Sequence, residues 1–159
     1  MDKNKSMIDF IKQCPQLINN KLFFNFIQAK DNNKVFETIS EDIAVREAYV
    51  DGSIMKRYTF TLLDFRSAVY QALVTTESYN NENVEDMYDV QGIIDWVKMK
   101  DDAKEYPDFG ENCVIERIYA LSETPSLNGI DTTISPPLAK YSVSIRVEYL
   151  DKTDMVWNK

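Results

Sequence analysis

Apolar and polar side chains alternate without a break from residue 141 to residue 149. The apolar set occupies the odd positions and consists of Tyr141, Val143, Ile145, Val147 and Tyr149. A period of two is that of a β-strand with one buried face and one hydrated face. A slip of one residue would turn the whole apolar set towards water, so we expect the register of this strand to be firmly held.

Other runs rich in β-branched and aromatic residues also predict strands. They span residues 22–27, 44–50, 54–63 and 113–121, with a shorter candidate at 35–39. Asp51-Gly52 lies between two of these runs, and an Asp-Gly pair in that position is typical of a β-hairpin. Residues 64–76 fit either an extended chain or a turn or two of helix, and we favour the extended form.

The period changes to that of a helix between residues 83 and 104. Met87, Val90, Ile94 and Val97 recur at steps of three and four, as they do along the buried side of an amphipathic helix. Asn83 is a suitable N-cap. The helix must end before Pro107, because the residue that precedes a proline is pushed out of helical geometry.

A short helix is also predicted near the N-terminus. Met7, Ile11 and Cys14 have helical spacing, and Ser6 with Asp9 three residues later resembles a capping box. Pro15 should end or kink this helix, since a proline inside a helix removes a hydrogen bond and clashes with the preceding turn.

Strands on both sides of a single long helix, joined by hairpin signals, predict an α+β fold. We expect an antiparallel β-sheet packed against one long helix and a short N-terminal helix. The 159 residues fit a single domain, residues 1–159. Residues 122–138 are too long and too rich in proline for a tight turn, so we expect a long loop there, and loops of this length are usually functional or disordered.

The charge balance excludes some classes of partner. The chain has 26 acidic and 18 basic residues, a formal net charge of -8. This argues against nonspecific binding to duplex DNA and to anionic membranes, because affinity for phosphates comes mainly from clustered Lys and Arg. No apolar run approaches the roughly 20 residues of a membrane helix, and the first residues do not resemble a secretory signal, so we expect a cytosolic protein.

The sequence offers little catalytic chemistry. It has no His, and its two Cys, Cys14 and Cys113, are far apart. Asp101-Asp102 are adjacent on the predicted helix and point apart, so we interpret them as a solvated face. Trp96 suits core packing better than an interface. The sequence therefore predicts no catalytic, cofactor or metal site, and we expect a protein that is not an enzyme.

Several pieces occur in a recognisable order. Tyr49-Val50-Asp51-Gly52-Ser53 leads to Arg57-Tyr58-Thr59-Phe60-Thr61-Leu62, the helix that carries Trp96 is followed by Tyr106-Pro107-Asp108-Phe109-Gly110, and the alternating strand closes at Tyr149. Over residues 22–149 this order resembles the tail terminator proteins, also called tail completion or head-tail joining proteins, of long-tailed bacteriophages and of prophages in Gram-positive bacteria. The material at 64–83 and 122–138 departs from that pattern.

The resemblance implies a structural virion protein with an antiparallel sheet packed against helices. Such proteins assemble in the host cytoplasm as a homo-oligomer, a hexameric ring, on the last ring of tail tube protein. They end tube polymerisation and present a surface to the head-tail connector proteins. DNA would then pass through the ring without specific binding. The acidic excess would either help by not holding phosphates or only keep the protein soluble.

The candidate residues for contacts with subunits or partners lie in two loops. They are Asp51, Gly52 and Ser53 at the predicted hairpin tip, and Asn128, Gly129, Ile130 and Asp131 in the long loop. The hairpin residues either only make a turn or also reach a neighbouring subunit. Two other functions stay open at this point: a capsid-side neck or adaptor protein, and a small acidic inhibitor that mimics DNA.

Overall fold

A computed structural model describes residues 2–17, 22–24, 34–40, 47–67, 82–131 and 138–154. Within these residues the chain forms two helices and seven strands that join one sheet. In chain order the elements are α1 (Lys3–Ile11), β1 (Leu22–Phe24), β2 (Lys34–Ser40), β3 (Glu47–Ala48), β4 (Ile54–Ser67), α2 (Glu82–Asp102), β5 (Cys113–Ala120), β6 (Ser126–Asp131) and β7 (Leu138–Asp151). The predicted α+β fold class is confirmed.

Two long strands form the middle of the sheet. β4 and β7 are each 14 residues long and pair antiparallel from Ile54 opposite Asp151 to Ser67 opposite Leu138. β2 and β3 pair with the other edge of β4, and β5 and β6 follow one another along the other edge of β7. Every other strand is therefore positioned, directly or through β2, by the β4–β7 ladder.

The alternation at residues 141–149 selects the face of the sheet that the helices cover. All five odd-numbered residues from Tyr141 to Tyr149 are buried, and they lie beside the buried residues Tyr58, Phe60 and Leu62 of β4. Full burial of a side chain of this size stabilises the fold by about 1.5–3 kcal/mol. The strand predicted from its alternation is confirmed, although β7 extends beyond it at both ends.

Both helices contribute to the same core. Phe10 of α1 contacts Trp96 of α2, with ring centroids 5.1 Å apart. Trp96 is buried, as expected for core packing. The core residues of the two helices and of the turn after α1 are Met7, Phe10, Ile11, Cys14, Leu17, Val90, Ile93, Ile94, Trp96 and Val97.

Both helices begin earlier in the chain than predicted, because their first turns are polar. Asp2, not Ser6, caps α1: its carboxylate accepts hydrogen bonds from the N–H groups of Asn4 and Lys5. Ser6 lies inside the helix. The prediction placed the start of the helix too late, because apolar spacing reveals a helix only from its first buried residue, here Met7. α2 begins at Glu82, one residue before Asn83, and it ends at Asp102, before Pro107 as predicted.

Two details of the sheet differ from the prediction. Residues 122–138 are not all loop, because β6 lies within them and pairs with β7. The sheet is also not entirely antiparallel: β1 pairs with β2 in parallel over three residues. Alternation along one strand does not reveal the direction of its neighbour, so the sequence pattern carried no signal for this pair.

The remaining strand predictions are confirmed in part. The candidate at 35–39 is β2, whereas the strand predicted at 44–50 is described only as Glu47–Ala48. The extended interpretation of residues 64–76 holds as far as Ser67, where β4 ends. The rest of that segment, residues 25–27 and the apolar residues 155–157 lie outside the described ranges.

Asp101 joins the end of α2 to the outer edge of β5. Its Oδ1 accepts hydrogen bonds from the backbone N–H of Ile118 at 2.9 Å and from the hydroxyl of Tyr106 at 3.2 Å. The same hydroxyl lies 3.3 Å from the backbone carbonyl of Glu116. Burial and the nearby Asp101 carboxylate raise the pKa of Tyr106. The interpretation as a solvated face is thus wrong for Asp101, while Asp102 is exposed.

We expect Asp101→Ala to lower the free energy of unfolding by about 1–3 kcal/mol, because it leaves the N–H of the buried Ile118 without an acceptor. Asp102→Ala is the matched control and should change stability by less than about 0.5 kcal/mol. Urea unfolding of both variants measures the difference. Equal stability of the two variants would show that Asp101 does not hold α2 to the sheet.

Candidate interface surfaces

The β3–β4 hairpin ends in a tight turn at the predicted position. The N–H of Gly52 donates to the carbonyl of Tyr49 at 3.0 Å, and the N–H of Tyr49 donates to the carbonyl of Ser53 at 2.9 Å. Gly52 has φ 91°, a left-handed backbone that residues with a Cβ rarely adopt. The hairpin predicted from Asp51-Gly52 is therefore confirmed, with Gly52 as the residue that lets the chain turn back.

Asp51 and Ser53 stabilise this turn from inside. The Asp51 carboxylate accepts hydrogen bonds from the N–H of Ser53 at 2.9 Å and from its hydroxyl at 2.6 Å. These hydrogen bonds lower the pKa of Asp51. Since Ser53 is also buried, two of the three candidate contact residues of the hairpin act as its scaffold.

The residues that the hairpin exposes are the two before Asp51. Val50 is fully exposed and Tyr49 is 43% exposed. Sequence reasoning missed both as contact candidates, although the signal was present: turns favour polar residues and glycine, and here a valine precedes the Asp-Gly pair. The hairpin thus presents an apolar tip on a turn that its own hydrogen bonds hold in place.

An ion pair fixes the base of the hairpin to β7. Lys56 Nζ lies 2.9 Å from Asp151 Oδ2, and both side chains are largely buried. Asp151 Oδ1 also accepts hydrogen bonds from the N–H and the hydroxyl of Thr153. Although burial alone would raise the pKa of Asp151, the hydrogen bonds from Lys56 and Thr153 outweigh it and lower the pKa to about 2.

The second group of candidates, residues 128–131, lies at the other end of the sheet. Gly129, Ile130 and Asp131 belong to β6 and pair with residues 138–140 of β7, and the register shifts between Leu127 and Gly129, at Asn128. The hairpin lies beside Asp151, at the opposite end of β7. At about 3.3 Å per residue along β7, roughly 40 Å separate the two groups. They form two distinct surfaces and not one site.

The face of the sheet opposite the helices carries a charged network that the sequence did not predict. Glu148 accepts hydrogen bonds from Arg117 Nε at 3.1 Å and from the Tyr119 hydroxyl at 3.0 Å. Arg146 Nε donates to the hydroxyl of Thr59 at 3.1 Å. The even positions of β7 signalled a hydrated face, but the pairing of β7 with β5 and β4 was needed to bring these side chains together.

Among the described residues, no group of three or more His, Cys, Asp or Glu side chains is arranged to hold a metal ion. No helix in the described ranges is long and apolar enough to cross a membrane. No protein-family model matches the chain, and no curated protein matches it significantly.

Substitution of Gly52 tests the turn. We expect Gly52→Ala to destabilise the protein by about 1–2 kcal/mol, because a Cβ is strained at positive φ. Gly52→Asn should cost less, since Asn tolerates left-handed backbone better than Ala. Thermal unfolding should rank the midpoints as wild type, then Gly52→Asn, then Gly52→Ala. A Gly52→Ala midpoint equal to that of the wild type would rule out the strained turn.

The Lys56–Asp151 pair should make stability depend on pH. The pKa of Asp151 is about 2 in the folded protein and about 3.9 in an unfolded chain, so its contribution is complete above about pH 4 and is lost as the pH falls through 2. We expect Asp151→Asn to cost about 1–2 kcal/mol at pH 7 and about half as much at pH 3. Urea unfolding at both pH values measures this. The same cost at pH 7 and pH 3 would exclude the ion pair as its cause.

Proposed function

We propose that this chain is a structural virion protein, a tail terminator that caps the tail tube of a long-tailed phage as a ring. It ends tube polymerisation and joins the tail to the head connector, with no catalytic step. The ring has six subunits, and DNA moves through it without specific binding. Assembly takes place in the cytoplasm of the bacterial host.

The apolar hairpin tip is the observation that carries this proposal. Val50 buries no apolar surface in the folded monomer, because its side chain is fully exposed. The turn beneath it is held by the Asp51–Ser53 hydrogen bonds and by Gly52. A tip ordered before binding loses little conformational entropy on contact, which favours association. Such a tip suits a protein whose work is to bind other subunits.

The separation of the two candidate surfaces also supports a ring. A closed ring with a rotation axis is built from head-to-tail contacts, in which one surface of each subunit meets a different surface of the next. The hairpin and residues 128–131 lie at opposite ends of β7. The α+β architecture, a largely antiparallel sheet under two helices, agrees with the fold that the resemblance implies.

The charged network argues against the DNA-mimic alternative. A protein that mimics DNA needs a surface of contiguous carboxylates, whereas the sheet face opposite the helices carries Arg57 and Arg117 on either side of Glu148, with Arg146 in the next row. A capsid-side neck protein would share the ring and differ in its partner. Co-purification with tail tubes supports the terminator, and co-purification with filled heads supports the neck protein.

The hairpin tip is tested by a charge at Val50. We expect Val50→Lys to leave the fold intact and to abolish control of tube length, because a lysine at the tip adds a charge that must lose its water on contact. The assay assembles the tail tube protein of the same genome with each variant and measures tube lengths by electron microscopy.

Gln13→Lys is the matched control, since it adds the same charge at an exposed position next to α1, in the helical layer. It should give tubes of uniform length, as the wild type does. Uniform tubes with Val50→Lys would remove the hairpin from the contact. Tubes of unlimited length with the wild-type chain would overturn the proposed function itself.

A further inference from the structure

The face of the sheet opposite the helices is ordered in rows by the strand register, and it is most exposed at Val114 and Arg117 of β5. The first row, nearest the hairpin, is apolar and runs across Met55, Leu150 and Val114. The second row is Arg57, Glu148 and Arg117, and the third is Thr59, Arg146 and Tyr119. We call this set of nine residues the arginine face. Its three cations and one anion stand out in a chain whose net charge is -8.

Two of the arginines are fixed in place, Arg117 exposed and Arg146 half-buried. Arg117 is held through Nε by Glu148 and lies over the ring of Tyr119, with 4.0 Å between the guanidinium carbon and the ring centroid. Its side chain is nevertheless 52% exposed. Arg146 is held through Nε by Thr59. A guanidinium held through Nε can still donate hydrogen bonds from its two amino groups to a carboxylate.

A complementary surface lies on the other side of the molecule, on α2. Tyr88, Asp95, Met99 and Asp102 are spaced by seven, four and three residues, so they form one stripe along the helix. All four are exposed, Tyr88 by 71% and Met99 by 55%, while the buried face of α2 points to the sheet. We call these four residues the helix stripe. It combines two carboxylates with two large apolar side chains.

We infer that the helix stripe of one subunit docks on the arginine face of a second copy of this chain. Asp95 and Asp102 then pair with the arginines, and the apolar members of the stripe contact the row of Met55, Leu150 and Val114. This contact rests on the proposed ring, and it acts beside the contact between the hairpin and residues 128–131. A second copy is the occupant that the charges favour, because the chain itself supplies exposed carboxylates, whereas the three arginines of the arginine face share one buried carboxylate, Glu148.

The dimensions of the two surfaces agree. Seven residues of helix separate Asp95 from Asp102, a distance of about 10 Å. Arg117 and Arg146 are diagonal neighbours on adjacent strands, about 8 Å apart. The length of an arginine side chain bridges the difference. The helix lies across the rows, so its apolar residues reach the row next to the arginines.

The contact is head-to-tail and needs no symmetric surface. The helix stripe and the arginine face lie on opposite sides of the β4–β7 sheet, so each subunit offers one surface to each of two neighbours. A chain of such contacts closes into a ring when the rotation per subunit divides a full turn. The contact thus joins the arginine face, on one side of the sheet, to the outer surface of α2, which covers the other side.

Charge reversal tests this interface. One variant carries Asp95→Arg and Asp102→Arg, and the other carries Arg117→Glu and Arg146→Glu. Each alone should lose self-association by at least about tenfold, because like charges then meet. An equimolar mixture should assemble again, since each reversed surface meets a complementary one on the other variant. Light scattering and sedimentation at low salt, alone and on tail tubes, measure the assemblies.

Reversals on α1 provide the controls. Asp9→Lys and Lys12→Glu change charge at exposed positions outside both surfaces and should leave assembly unchanged. If the Arg117→Glu, Arg146→Glu chain fails to fold, as judged by circular dichroism, Arg117→Gln with Arg146→Gln replaces it. Its mixture with the helix-reversed variant should then form fewer and smaller assemblies than the wild type.

Several outcomes would overturn the inference. Wild-type rings that are unaffected by either reversal would remove this contact and leave the terminator function standing, with a different interface. Reversed variants that lose assembly but do not recover when mixed would exclude pairing between these two surfaces. Retention of duplex DNA by the wild type that is lost in Arg117→Glu, Arg146→Glu would assign the arginine face to nucleic acid. A wild-type chain that stays monomeric alone and on tubes would count against the ring as well.

Discussion

The antiparallel ladder between β4 and β7 determines the position of almost everything else in this protein. Over 14 residues of each strand it places Tyr58 beside Val147, Phe60 beside Ile145 and Leu62 beside Val143. These side chains are buried beneath the helices, so a shift of one residue would replace them with Thr59, Arg146 and Ser144 in the core. The ladder thus fixes which face of the sheet is apolar and which carries charge.

The same ladder separates the surfaces that the proposed ring needs. At one end of β7 the hairpin leaves the sheet, anchored by Lys56 and Asp151, and at the other end β6 joins it. One face supports α1 and α2, and the other carries Arg117 and Arg146. A rigid double strand therefore gives the molecule two ends and two faces, and contacts between different surfaces are what a head-to-tail assembly requires.

The features that could be predicted from the sequence are those recorded in local patterns. Three local patterns each identified an element correctly: the period of two at residues 141–149, the period near 3.6 that contains Val90 and Val97, and the Asp51-Gly52 pair. Each of these elements has a geometry that determines the order of residue types over a short stretch of sequence. What the sequence could not reveal depends on residues far apart in the chain. The role of Asp101 requires Ile118, 17 residues later, and the network of Glu148 requires Arg117 and Tyr119 on another strand. The pairing of β6 with β7 was hidden for the same reason.

We propose that this chain closes the end of a tail tube as a ring, and electron microscopy of labelled protein can show whether it does. Tail tubes assembled from the tube protein of the same genome would be incubated with gold-labelled wild-type chain and imaged. We expect label at one end of each tube, with end-on averages that show six subunits around an open channel. Label spread along the tubes, absent from their ends, or found on DNA-filled heads that lack tails would contradict it.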